Sequence, residues 1–239
     1  YARRGGWWAQ WWTVLHPPYT LWHLSYVVIG AGLAPTVDWG VLGATVLAFL
    51  LAVGVAAHAL DEVNDRPLRT AVPDRTLWAV AGVCLAGAVA LGLATVAYAG
   101  WALVLFIVLG VALVLGYNLE LFGGLVHTDL GFAAAWGSFP VAVGFVAQAP
   151  PLTGSATLGA VAAACAAGAL SYAQRCLSTP ARTIRRRTRS VEGTLVQSDG
   201  TRVVLDQGVL LAPLERTLRA LSWAVPLLAG AVVLPHLWP

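Results

Sequence analysis

The sequence predicts an all-α fold, a polytopic transmembrane helical bundle of about seven spans with a small cytoplasmic β-hairpin before the last. Three observations predict it. Of 239 residues, 59% are hydrophobic and only 10% charged, whereas soluble domains carry about 25% charge. Uncharged apolar runs recur along the chain, and a bilayer admits such runs only as helices or closed barrels, which satisfy their own backbone groups. The 14 basic residues are all arginine and cluster in alternate connections, the pattern of a multi-pass protein.

Taken in order, residues 1–20 hold Arg3, Arg4, Trp7, Trp8, Trp11 and Trp12. Arginine mixed with tryptophan suits an interfacial segment at headgroup level. Pro17-Pro18 breaks the chain before the first span, residues 19–34. Further spans are expected at 41–60, 77–98, 101–117, 130–147, 158–173 and 218–234. The first and sixth are short beside the ~20 residues that cross hydrocarbon, so their ends are expected to extend into flanking residues. Between the last two, residues 190–206 contain two β-prone runs around Asp199-Gly200, a hairpin signal. An isolated hairpin is marginal in water, so this insertion is expected to lean on the bundle or a partner. The whole chain, 1–239, reads as one membrane domain.

Arginine placement sets the expected orientation. Arg66, Arg69 and Arg75 fall in one loop, and Arg175 to Arg219 supply nine more in another. The connections around 35–39, 99–100 and 149–155 contain none. The N-terminus and both arginine-rich loops are therefore expected in the cytoplasm.

Composition also excludes classes of function. No lysine is present, so a seven-helix retinal protein, which needs a lysine amine, is ruled out. Three cysteines make no disulfide framework. Arginines at membrane ends serve topology and anionic lipids, and nucleic acid is not an expected partner. Methionine is absent even at position 1, so the natural start is expected to lie elsewhere.

The chemistry concentrates in three stretches that end on one side of the membrane. After the uncharged run 41–57 come His58, Asp61, Glu62 and Asp65. On a continuing helix Asp61 and Asp65 share a face at i,i+4 spacing. Pro67 then discourages further helix. Carboxylates so spaced suit Mg²⁺, which takes one or two of them together with phosphate oxygens. Intramembrane ionisable groups are functional candidates; the plain alternative is a helix end whose charges face water. The second stretch runs from Tyr117 through Glu120 and His127 to Asp129. The third, Tyr172 to Arg187, carries Arg175 and Arg182, and guanidinium groups suit a diphosphate. Trp136 and Tyr172 offer ring faces that attract cations, with core packing as the plain alternative. A zinc-dependent lipid hydrolase using His58, Asp61, His127 and Asp129 is a further possibility.

These residues resemble the UbiA superfamily of intramembrane prenyltransferases. The family's first motif, Asn-Asp-x-x-Asp-x-x-x-Asp followed by Arg-Thr, falls on Ala57, His58, Asp61, Asp65, Arg69 and Thr70. The last two aspartates and Arg-Thr match, with Arg-Thr one residue early, while Ala57-His58 replaces the leading Asn-Asp. Tyr117, Leu130-Gly131, Trp136-Gly137 and Pro140 are similar to the family's fourth and fifth spans, and His16–Trp22 to its opening. The basic residues that follow the tyrosine in many members are replaced by Glu120 and Leu121. The second aspartate motif is not preserved: after Tyr172-Ala173 its positions hold Cys176 and Pro180. One span rather than two follows, so the resemblance covers residues 14–180.

The resemblance implies an enzyme in a lipid-exposed chamber. An isoprenyl diphosphate, held with Mg²⁺ on Asp61 and Asp65, would ionise to an allylic cation and pass to an acceptor or cyclise. His58, Tyr117 and Tyr172 would join the aspartates in catalysis. Arg69, Arg175, Arg182, Glu120, Asp129 and Trp136 would bind substrate. A membrane protein that keeps the fold and binds lipid or isoprenoid without catalysis is the alternative.

Overall fold

The computed structural model describes residues 5–150 and 152–238, the Asp65 side chain aside. Arg3 and Arg4 therefore lie outside the described residues, as does the Asp65 carboxylate. Helices form over all seven segments expected to span, and a two-stranded sheet is the only one among the described residues.

A tryptophan-bearing helix α1 (Trp7–Leu15), with Trp7, Trp8 and Trp12 exposed and Val14 buried, comes first, and a left-handed His16 turns the chain into α2 (Pro17–Gly32). Helix α3 starts at Trp39–Phe49, capped by the Asp38 carboxylate on the Val41 N–H. It runs without a break through a π-helical stretch, Leu50–Ala57, into His58–Asp65. Arg66 ends it in a left-handed conformation just before Pro67. Then come α4 (Asp74–Ala99), α5 (Ala102–Asn118) and α6, which spans Asp129–Ala147. Thr128 caps α6 through the Gly131 N–H, and a second π-helical stretch, Ala134–Ser138, interrupts it. The last two helices are α7 (Ser155–Arg187) and α8, which covers Gln207–Leu237.

Five of these helices, α3, α4, α6, α7 and α8, are long and apolar enough to cross a bilayer, which makes the chain a helical membrane protein. Helix α5 is a shorter apolar helix, and α2 has 16 residues.

Helices α2 and α6 form the centre. Gly30 and Gly144 let them touch backbone to backbone, since a Cβ at Gly30 would overlap the Val141 carbonyl and one at Gly144 the Val27 carbonyl. Helix α8 packs on α2, and α7 bridges α6 and α8. On the other side α3 meets α4, and α4 meets α5. Val27, Val53, Leu60, Phe132 and Trp136 join these two halves in one apolar core.

Span six extends past residue 173, as its shortness implies: α7 continues through Pro180 to Arg187. A proline removes one backbone hydrogen bond, and packing against α6 and α8 on both sides holds the rest of the helix. The last helix begins at Gln207, well before residue 218, because Asp206 caps the Val209 N–H. The hairpin pairs β1 (Thr194–Val196) with β2 (Arg202–Val204) around Asp199-Gly200, as read. Its strands are exposed almost throughout, so it does not lean on the helices. The turn holds itself: the Thr201 N–H donates to Asp199 Oδ1 at 2.8 Å, which keeps that carboxyl below its usual range.

Candidate functional site

A cavity of about 610 Å³ opens at one end of the bundle, among α2, α3, the α5–α6 connection, α7 and α8. It brings together His58, Asp61, Tyr117, Glu120, His127, Arg175 and Arg182 from the three stretches picked out in the sequence, with Trp136 beside them. The two π-helical stretches flank it: one ends immediately before His58, and the other contains Trp136. Such insertions recur at functional sites, since the extra residue re-aims the side chains that follow.

Asp61 lines the cavity and takes no hydrogen bond or ion pair among the described residues. Its sequence neighbour Glu62 turns the other way and is fully buried. There it accepts hydrogen bonds from the Leu68 N–H (2.9 Å), the Thr70 N–H (2.7 Å) and the Thr70 hydroxyl (2.9 Å). Glu62 thus fixes the loop after α3, and Thr70 serves that loop.

Three histidines at the cavity share one arrangement. Nδ1 lies 3.1 Å from the Gly54 carbonyl in His58, 2.8 Å from Trp136 O in His23, and 3.0 Å from Tyr117 O in His127. A carbonyl only accepts, so each Nδ1 donates, and in the neutral ring Nε2 keeps its lone pair. His16 stacks on His58 at 6.0 Å. Burial, with His58 beside it, pushes the His16 pKa down to about 3.

Aromatic rings form much of the wall. Tyr117 meets Trp136 edge-on at 5.7 Å and stacks on His127 at 4.4 Å. Tyr19 stands edge-on to His23 at 4.7 Å. The Tyr117 hydroxyl and Gln174 Oε1 are buried without a hydrogen-bond partner among the described residues.

Charge at the cavity is asymmetric. Arg175, Arg182, Arg185, Arg186 and Arg219 line it, against two carboxylates, Asp61 and Glu120. Asp129 pairs with Arg175 and Glu215 with Arg185, which still leaves positive charge in excess. Arg186 also donates to the Pro67 carbonyl at 3.1 Å.

Compared with known proteins, the chain matches no family profile, no curated protein and no solved structure.

The remaining sequence candidates sit elsewhere. Arg69 is exposed on the loop after α3, in a left-handed conformation and outside the cavity lining. Tyr172 is 43% exposed on α7 and also outside it. Asp129 stands behind Arg175. Among the described residues no three His, Cys, Asp or Glu side chains gather closely enough to share a metal ion. Sequence reading missed Tyr19, Phe132 and Gln174 as cavity residues and set His16 and His23 aside. A signal for three of them was present: His16, Tyr19 and His23 recur at intervals of three and four, one face of an otherwise apolar helix.

A second groove, apolar but for Thr45 and Thr95, lies among α3, α4, α5 and α6. Val53 and Trp136 line both it and the polar cavity, so the two spaces adjoin.

Proposed function

We propose that the chain is an intramembrane enzyme of the UbiA-like kind, acting on an isoprenyl diphosphate. One observation carries the reading: a cavity with a free carboxylate and excess arginine adjoins an apolar groove across Val53 and Trp136. An amphiphile with an anionic head and a hydrocarbon tail is complementary to that pair of spaces. In this reading all seven long helices, α2 to α8, span the bilayer, with the N-terminus and the arginine-rich loops in the cytoplasm.

Mg²⁺ is compatible with the donors present. Asp61 offers hard oxygen ligands with no competing partner, and Asp65 follows one helical turn later. When bound, the ion would neutralise charge developing on the leaving diphosphate. The protein's own groups do the rest. Guanidiniums of Arg175 and Arg182 hold the diphosphate as the allylic C–O bond breaks and its electron pair leaves with oxygen. The rings of Tyr117, Trp136, Tyr19 and Phe132 face the cavity and stabilise the allylic cation through their negative faces. An acceptor nucleophile, or a double bond of the same chain, then forms the new bond to the cation, and the proton lost from the adduct passes to the released diphosphate.

The test is diphosphate release from isoprenyl diphosphates by the purified chain. Asp61→Ala and EDTA are each expected to abolish it, and full activity in either case overturns the proposal. A second reading, binding without turnover, draws on Cys176 and Pro180 at the second aspartate positions. Tight binding with no diphosphate release selects it.

A further inference from the structure

On the anion-binding side of the cavity, the Arg175 guanidinium is held in place from α6. Arg175 Nε donates to Asp129 Oδ1 at 2.9 Å. Its guanidinium carbon lies 5.1 Å from the centre of the Phe132 ring. Asp129 and Phe132 belong to the first turn of α6, three residues apart and so on one face. One helix thus holds the guanidinium at its Nε edge and against its plane. The side chain is 19% exposed, and its terminal amino groups make no hydrogen bond among the described residues. Nearby, the Phe132 and Tyr117 rings are 6.0 Å apart, and the buried Tyr117 hydroxyl has no partner among the described residues either. A buried polar group left unpaired costs about 1–3 kcal/mol, a cost that a hydrogen-bonding ligand at this hydroxyl would relieve.

We infer that Arg175, positioned by Asp129 and Phe132, is a diphosphate-binding residue whose contact needs no metal ion. With Nε held, the terminal N–H groups form a planar edge that matches two phosphate oxygens. Arg182, two turns further along α7 and also lining the cavity, adds a second guanidinium. The Tyr117 hydroxyl donates to a third oxygen. The ligand class is a diphosphate monoester, and the inference rests on the reading of the cavity given above. Asp129 is a positioning residue: it acts through Arg175.

The experiment is calorimetric titration of the full chain in detergent, with EDTA present throughout. Inorganic diphosphate and farnesyl diphosphate are the two probes, separating the anion's contribution from that of the tail. Both are expected to bind saturably, the second more tightly. Arg175→Lys keeps the charge but lacks the fork, and is expected to weaken inorganic diphosphate about tenfold or more. Asp129→Asn is expected to weaken it several-fold, Asp129→Glu to restore part of the loss, and Arg187→Gln, outside the lining, to leave it unchanged. Binding only when Mg²⁺ is supplied overturns the inference. So does wild-type affinity in both Arg175→Lys and Asp129→Asn. Should Asp129→Asn fail to fold, Arg175→Lys alone decides. EDTA-resistant binding without turnover upholds the inference while removing the catalytic reading, so the two fail separately.

Discussion

The Glu62 carboxylate is fully enclosed and accepts from two backbone N–H groups and a hydroxyl of the following loop. Glu62→Ala strands all three donors and is expected to cost about 3 kcal/mol or more, read as a lowered unfolding midpoint in detergent. Sequence spacing put Asp61 and Asp65 on one helix face and left Glu62 off it. It could not show that Glu62 is enclosed, because the loop holding Leu68 and Thr70 folds back onto it only in three dimensions. His16 offers a prediction with a sign. The unfolded chain binds a proton near pH 6.5, whereas the folded chain takes it only near 3. Between those values the unfolded state holds more protons, so stability falls as pH falls, by up to about 1.4 kcal/mol per pH unit. His16→Gln removes this contribution, and its stability is expected to decline less steeply than that of the wild type over the same window.

Among the elements, α2 and α6 approach so closely that neither Gly30 nor Gly144 has room for a methyl group against the opposite backbone. A backbone carbonyl cannot rotate out of the way as a side chain can. Gly144→Ala is therefore expected to separate the helices and to cost more than about 3 kcal/mol, beyond ordinary overpacking, seen as loss of the folded peak on size exclusion or a steep fall in melting temperature. The positions of the long helices were legible from apolar runs alone. Their ends were less so: α7 carries Pro180 and a row of arginines that reads as loop, and only packing from α6 and α8 makes it helix. The π-helical stretches of α3 and α6 leave no trace in composition.

For the whole molecule, length and charge set the placement in the membrane. The 33 residues of α7 extend about 50 Å, against a hydrocarbon core of ~30 Å, so its arginine-rich end projects beyond the apolar layer. In the proposed orientation that end and the hairpin face the cytoplasm. A Gly200→Cys substitution at the hairpin turn is then expected to react with an impermeant maleimide in inverted vesicles and not in intact cells; the opposite result reverses the orientation. That the three chemical stretches share one end was legible from arginine placement. That Arg175 leans on Asp129 was not, since 46 residues separate them. The meeting of the two spaces at Val53 and Trp136 bears on how a reaction there would finish. On the proposed reading one product would be a water-loving anion and the other an oil-soluble hydrocarbon, and each would have its own door: the first past the arginines toward the aqueous phase, the second by way of the apolar groove. Neither has to pass through surroundings that repel it.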